Sequence, residues 1–153
     1  MDRAALEPST RTPRDVFDLL RASVLSFDVD DQAALFADDV VVEFPYAPDR
    51  FPRRIEGRDA FVAALRPVLE RAKGFGHQLS DYEALVIHET DDPEVLIAEF
   101  EVVGRMNSDG SEFRLPYVQR LRVRDGQIVG FRDYWPPQTA AVAAAAIGSH
   151  SND

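Results

Sequence analysis

The sequence predicts an α+β domain in which three N-terminal helices close one side of a cone-shaped, curved antiparallel sheet. Three features carry that prediction. Apolar residues recur at helical spacing in the N-terminal part of the chain, and from Gln78 onward the period changes to alternation. The alternating segments are separated by turn-forming strings, Asp91-Asp92-Pro93, Asn107-Ser108-Asp109-Gly110 and Asp125-Gly126. Helices first and strands afterwards place the helices together against the sheet. A cone of this size leaves an apolar pocket at its wide end, and small ligands bind in pockets of that kind.

Residues 1–12 read as a flexible arm, 13–137 as one domain and 138–153 as an Ala-rich tail. Thr12-Pro13-Arg14-Asp15 has the form of a helix start: Thr12 caps, Pro13 suits the first turn, and Asp15 reaches back as in a capping box. Phe17, Leu20, Val24 and Phe27 then form one apolar stripe. Asp28 to Asp31 ends that helix and caps a short second one running through Ala33 to Phe36. Val40 to Phe44 is β-branched and reads as a strand, and Pro45, Pro48 and Pro52 enforce an irregular loop containing Tyr46, Arg50 and Phe51. A third helix starts after Gly57 and carries Phe61, Leu65, Val68 and Leu69, with a kink or a weakened bond ladder expected at Pro67. Four strands follow over 79–88, 95–105, 112–124 and 127–135. Glu99 and Glu101 are expected on the outer face opposite Arg120 and Arg122 of the next strand. The tail, with Ala140 to Ile147, is expected to form a short, weakly docked helix ending at Gly148, with disorder beyond.

Composition excludes several classes of function. The chain has 153 residues, a formal charge of −10 and no cysteine. That charge argues against nucleic acid and anionic membrane surfaces as partners. Without thiols there are no disulfides, thiolate metal sites or cysteine nucleophiles. No apolar run approaches the ~20 residues that span a bilayer, and the first residues carry no signal-peptide core. A cytoplasmic protein is expected. His77 and His88 lack metal-ligand spacing, so no metal is expected.

The last hairpin holds the candidate chemistry. Alternate strand residues face opposite sides, so Tyr117, Gln119, Leu121 and Val123 share a face with Val129, Phe131, Asp133 and Trp135. One carboxylate and one amide thus stand in an otherwise apolar and aromatic set. In an apolar pocket the loss of hydration raises a carboxyl pKa toward neutrality, which is what general acid–base catalysis needs. Asp133 is therefore the candidate acid/base, and Gln119 beside it would orient it or donate to a developing oxyanion. Tyr117, Trp135, Phe131, Phe44, Tyr46 and Phe100 are expected as pocket walls, with Leu20, Phe61 and Leu65 from the helices. The alternative is an Asp133 paired with a nearby Arg, or one register off and facing water.

Four strings resemble a known family: Leu35-Phe-Ala-Asp-Asp-Val-Val-Val-Glu-Phe44, Ile55-Glu-Gly-Arg-Asp-Ala60, Glu89-Thr-Asp-Asp-Pro93 and Arg124-Asp-Gly-Gln-Ile-Val-Gly-Phe-Arg-Asp-Tyr-Trp135. With the order of elements, they make the chain similar to the NTF2-like, or SnoaL-like, superfamily, a cystatin-like roll. Ketosteroid isomerases of that fold have a base, a Tyr and a protonated Asp where this chain looks to have Phe44, Leu20 and Gln119, so their chemistry is not expected. SnoaL-like polyketide cyclases place an Asp acid/base where Asp133 stands, and their partner His where Gln119 stands. Phenazine-biosynthesis A/B proteins have a Glu at the Asp133 position, and a His and a Ser at positions resembling Ala64 and Val68. The resemblance implies cofactor-free chemistry on a small hydrophobic molecule (cyclisation, isomerisation or epoxide opening) and a homodimer. Arg120, Arg122, Arg132 and Tyr134 on the outer sheet face are the expected dimer surface. A non-catalytic protein that binds a small hydrophobic ligand is the other reading.

Overall fold

The structure is a computed structural model that describes residues 7–74 and 77–150. Pro8–Thr10 form a short 3-10 turn, followed by α1 (Pro13–Leu25), α2 (Val29–Ala33), β1 (Phe36–Glu43), β2 (Arg54–Glu56), α3 (Arg58–Gly74), β3 (His77–Glu89), β4 (Val95–Met106), β5 (Glu112–Arg124), β6 (Gln127–Tyr134) and α4 (Pro137–His150). The six strands form one curved, unclosed sheet in the order β2-β1-β6-β5-β4-β3, and the helices cover its concave side. One pair departs from the expected antiparallel sheet: β1 runs parallel to β6. That placement sets the first strand beside the last and brings Phe44 within reach of Trp135.

Local chemistry explains the helix starts. Thr12 accepts from the Asp15 backbone N–H and Asp15 accepts from that of Thr12, so the capping box of α1 is complete. Asp28 caps α2 by accepting from the Asp31 N–H. Phe27 joins the two helices with φ +56°, a left-handed conformation uncommon for a residue with a Cβ. α2 stops at Ala33, and Phe36 opens β1 rather than closing a helix. α3 continues through Pro67, whose ring nitrogen has no hydrogen to donate within the helix. β2, just after the Pro-rich loop, pairs with β1 and is a strand not expected from the sequence.

Two further expectations are corrected by register. A bulge lies where Arg122 pairs with Gly130 but Val123 pairs with Ile128. Val129 is left over, so Ile128 rather than Val129 enters the core. Glu99 lies opposite Val118 and Glu101 opposite Pro116, not opposite arginines. The acids find other partners: Glu99 meets His88, Glu101 meets Arg114, and Arg122 bonds Asp92 and Glu94.

Residues 7–12 and α4 make contacts that a free arm and a loose tail would not. The Pro8 carbonyl lies directly against Gly126 of the β5–β6 turn. α4 extends through Gly148, packs against α3 and buries Ala143 completely. The expected flexibility of residues 1–6 and the expected disorder after 150 lie outside the described residues. Among the described residues, no helix is long and apolar enough to cross a membrane.

Candidate functional site

Asp133 points inward. It is 8% exposed, and it faces Gln119, 6% exposed, across the β5–β6 ladder. Unbroken alternation from Phe131 through Asp133 to Trp135 sets this direction, and all three side chains are buried. Burial pushes the Asp133 carboxyl up to about 7, against the opposing pull of a hydrogen bond from Gln119. Its Oδ1 and the Oε1 of Gln119 are buried and have no hydrogen-bond partner among the described residues. Among the described residues no arginine is paired with the buried acid, so the ion-pair and water-facing alternatives do not describe it.

These two groups face a cavity of about 480 Å³ between the sheet and α1, α2, α3 and α4. Of the residues expected there, the sheet supplies Phe100, Tyr117, Gln119, Phe131 and Asp133, with Phe44 and Trp135 just past strand ends. Leu20 of α1 and Phe61 and Leu65 of α3 close the opposite wall. Tyr46 is the exception: it is 63% exposed and does not line the cavity. Its backbone carbonyl accepts from the Trp135 indole N–H at 3.2 Å, while its ring lies edge-on to Tyr134 outside. Pro45 and Pro48 turn the chain so that the backbone, not the ring, meets the site.

Aromatic packing holds the walls. Trp135 stacks on Phe44 at 4.4 Å, and Phe51 meets it edge-on. Across the sheet, Tyr82, Phe100 and Tyr117 form a stacked column with centroid spacings of 4.2 and 5.5 Å. The Tyr117 hydroxyl shares a 2.6 Å hydrogen bond with Thr139, which ties the start of α4 to the cavity wall. Burial holds both phenols above the ordinary tyrosine range, with the Asp133 charge adding to the effect. Both therefore remain protonated donors at neutral pH.

Sequence reasoning missed Tyr82, Gln32 and Thr139, all of which line the cavity. β3 is irregular between Leu79 and Asp81 and again between Glu83 and Val86, so its parity cannot be counted from the sequence. α2 has five residues, too few for a periodic pattern to mark Gln32 as inward. The side chain of His77 lies outside the described residues. Among the described residues, no group of three or more His, Asp or Glu is placed to hold a metal ion.

An open cone of sheet, closed by helices over an apolar cavity with one buried acid, defines an NTF2-like fold. The chain belongs to the SnoaL-like domain family, which it matches over residues 15–131. It is 35% identical over 116 residues to the uncharacterized protein YesE of Bacillus subtilis (strain 168), covering 76% of each chain. It is 37% identical over 103 residues to an uncharacterized PhzA/B-like protein of Pseudomonas aeruginosa, covering 67% of this chain and 69% of the relative. The crystal structure of a provisionally named isomerase from Bacillus subtilis superposes with a TM-score of 0.71 at 30% identity, over 87% of this chain and 92% of that one. A provisionally named polyketide cyclase from Pseudomonas putida KT2440 has a TM-score of 0.62 at 19% identity, over 84% and 95% of the two chains, and shares the fold.

Proposed function

We propose that the chain is a SnoaL-like enzyme in which Asp133 moves a proton on a small, largely apolar carbonyl compound. The observation that carries this reading is a buried carboxyl, bonded to Gln119 through one oxygen with Oδ1 left over, pushed up to about 7 and facing an apolar cavity. A carboxyl with that pKa is part base and part acid at neutral pH, the condition under which one group both takes and returns a proton. The carboxylate removes a proton from the carbon beside the carbonyl, and the electron pair moves onto the carbonyl oxygen. Tyr82 and Tyr117 are phenols in the same cavity, and a phenol proton turned toward that oxygen would stabilise it, Tyr117 then accepting from Thr139. Where a carbon–carbon double bond is conjugated to that enolate, return of the proton to its far carbon isomerises the substrate; where the enolate carbon attacks a second carbonyl, a ring closes and the alkoxide formed takes back the proton held by Asp133. Neither route calls on a cofactor.

The test is α-hydrogen exchange of α-tetralone in D2O, followed by proton NMR. The wild-type protein is expected to exceed the buffer rate, and Asp133→Asn to lose at least about 100-fold of that enhancement while its far-UV circular dichroism is unchanged. Equal enhancement by both proteins would remove Asp133 as the acid/base. It would leave a protein that binds an apolar molecule without transforming it.

A further inference from the structure

Among the polar groups that line the cavity, one comes from the short helix α2 and not from the sheet that carries the acid. Gln32 of α2 is 5% exposed and lines the cavity, and its Nε2 has no hydrogen-bond partner among the described residues. Asp133 and Gln119 come from the sheet; Gln32 comes from the helical side, after the α1 residues Leu20 and Val24 that share its wall. A buried amide donor without an acceptor is unfavourable, and a buried polar group in a ligand cavity usually finds its partner in the ligand. No Arg or Lys, and no His, lines the cavity among the described residues. A carboxylate or phosphate would therefore be stripped of water with no cation to receive it.

We propose that Gln32 is a substrate-recognition residue, and that the substrate is an uncharged, mainly apolar molecule with two separated oxygen functions. One is the reacting carbonyl against Asp133 and Gln119. The other is a hydrogen-bond acceptor, a carbonyl, ether or hydroxyl oxygen, that receives the Gln32 amide. This rests on the reading that the cavity is the substrate site, and it adds to that reading a specificity set by α2. A ligand lacking the second oxygen leaves the Gln32 donor buried and unmatched, so selection acts against simple hydrocarbons and simple ketones alike.

The test uses tetralin, α-tetralone and the ring-methoxylated α-tetralones, which differ only in where a second oxygen sits. Binding is read from fluorescence of Trp135, the one tryptophan in the chain and part of the cavity wall. Wild type is expected to bind at least one methoxytetralone about five- to tenfold more tightly than α-tetralone. In Gln32→Leu that preference should vanish, with tetralin binding as well as or better than in wild type. Gln32→Met, with an unbranched side chain of similar length, serves the same comparison should the branched one disturb packing. The proposal is overturned if no methoxytetralone is preferred by wild type, if none of the probes binds it, or if both variants shift all affinities by one common factor. The exchange assay on Asp133→Asn reports separately. Loss of exchange in Asp133→Asn without Gln32 selectivity removes only the second recognition point. Gln32 selectivity with no Asp133-dependent exchange leaves a binding site of the stated specificity.

Discussion

At the scale of the residue, Asp133 is a liability to the fold and the basis of the proposed chemistry. Its carboxyl holds its proton up to about 7 when folded, against an ordinary 3.8. The unfolded chain therefore releases that proton first as pH rises. Stability attributable to Asp133 is fully present below about pH 4 and is lost as pH climbs through about 7. The shift corresponds to roughly 4 kcal/mol at most, before relaxation and water entry reduce it. Asp133→Asn removes the ionisation while still burying a polar group. Urea unfolding should accordingly find the variant more stable than wild type by at least about 2 kcal/mol at about pH 8, and level with it or weaker at about pH 4. Taking the difference between the two proteins cancels Asp81, Asp92, Glu94 and Asp109, whose carboxyls are shifted the opposite way by hydrogen bonds and arginine partners. A gap that does not change with pH would mean that the carboxyl is hydrated and ordinary. In catalysis the base form rises through the same range, so exchange of α-tetralone should climb with pH and level off above about 7.

At the scale of the element, the β5–β6 hairpin aims the acid, and its turn holds a glycine against the N-terminal segment with no room for a side chain. Gly126 has φ +76°, and a Cβ there would lie 1.3 Å from the Pro8 carbonyl oxygen, a backbone atom with no side-chain freedom to yield. Gly110, in the β4–β5 turn, has φ +71° with nothing within 4 Å. Alanine at Gly110 should cost only the left-handed backbone term, about 1–2 kcal/mol. Alanine at Gly126 should cost at least about 2 kcal/mol more, because the N-terminal segment must also be displaced. Chemical unfolding of the two variants checks this, and equal losses would mean that residues 7–11 add nothing to the hairpin. The same hairpin shows what the sequence could and could not disclose. Asp-Gly marked the turn, and alternation from Phe131 to Trp135 marked Asp133 as inward, because no irregularity interrupts that run. Val129 was misplaced because the bulge before it exchanges its face with that of Ile128. A bulge is settled by packing between strands, and composition does not announce it. β2 stayed hidden for a related reason: three residues following a Pro-rich loop become a strand only because β1 offers an edge.

At the scale of the molecule, the sheet separates two environments. Its concave face holds the cavity, and its convex face carries the row Val86, Glu99, Val118 and Tyr134, aligned across β3, β4, β5 and β6. Val86 and Val118 are 48% and 37% exposed, the large apolar side chains left open on that face. Ion pairs flank the row: Arg114 with Glu83, Glu101 and Glu112 on one side, and Arg122 and Arg124 with Asp92 and Glu94 on the other. Of the arginines expected to form a dimer surface, Arg122 is engaged within the chain, and Val86, Val118 and Tyr134 around the His88-paired Glu99 offer apolar surface for contact. We propose that two copies meet there about a twofold axis, which sets Val86, Val118 and Tyr134 of each copy against their counterparts, with Glu99 held by His88 and the charged flanks at a wetted rim. Light scattering of the purified protein should report a mass of two chains. Val118→Asp would place a carboxylate at the centre of that contact next to Glu99, and should give single chains. The cavity opens on the other side of the sheet, so the monomeric variant should retain wild-type affinity for α-tetralone. A wild-type chain that runs as a monomer at all concentrations would leave this face without a partner, and a Val118→Asp monomer that no longer binds the ketone would mean that the cavity depends on the second copy.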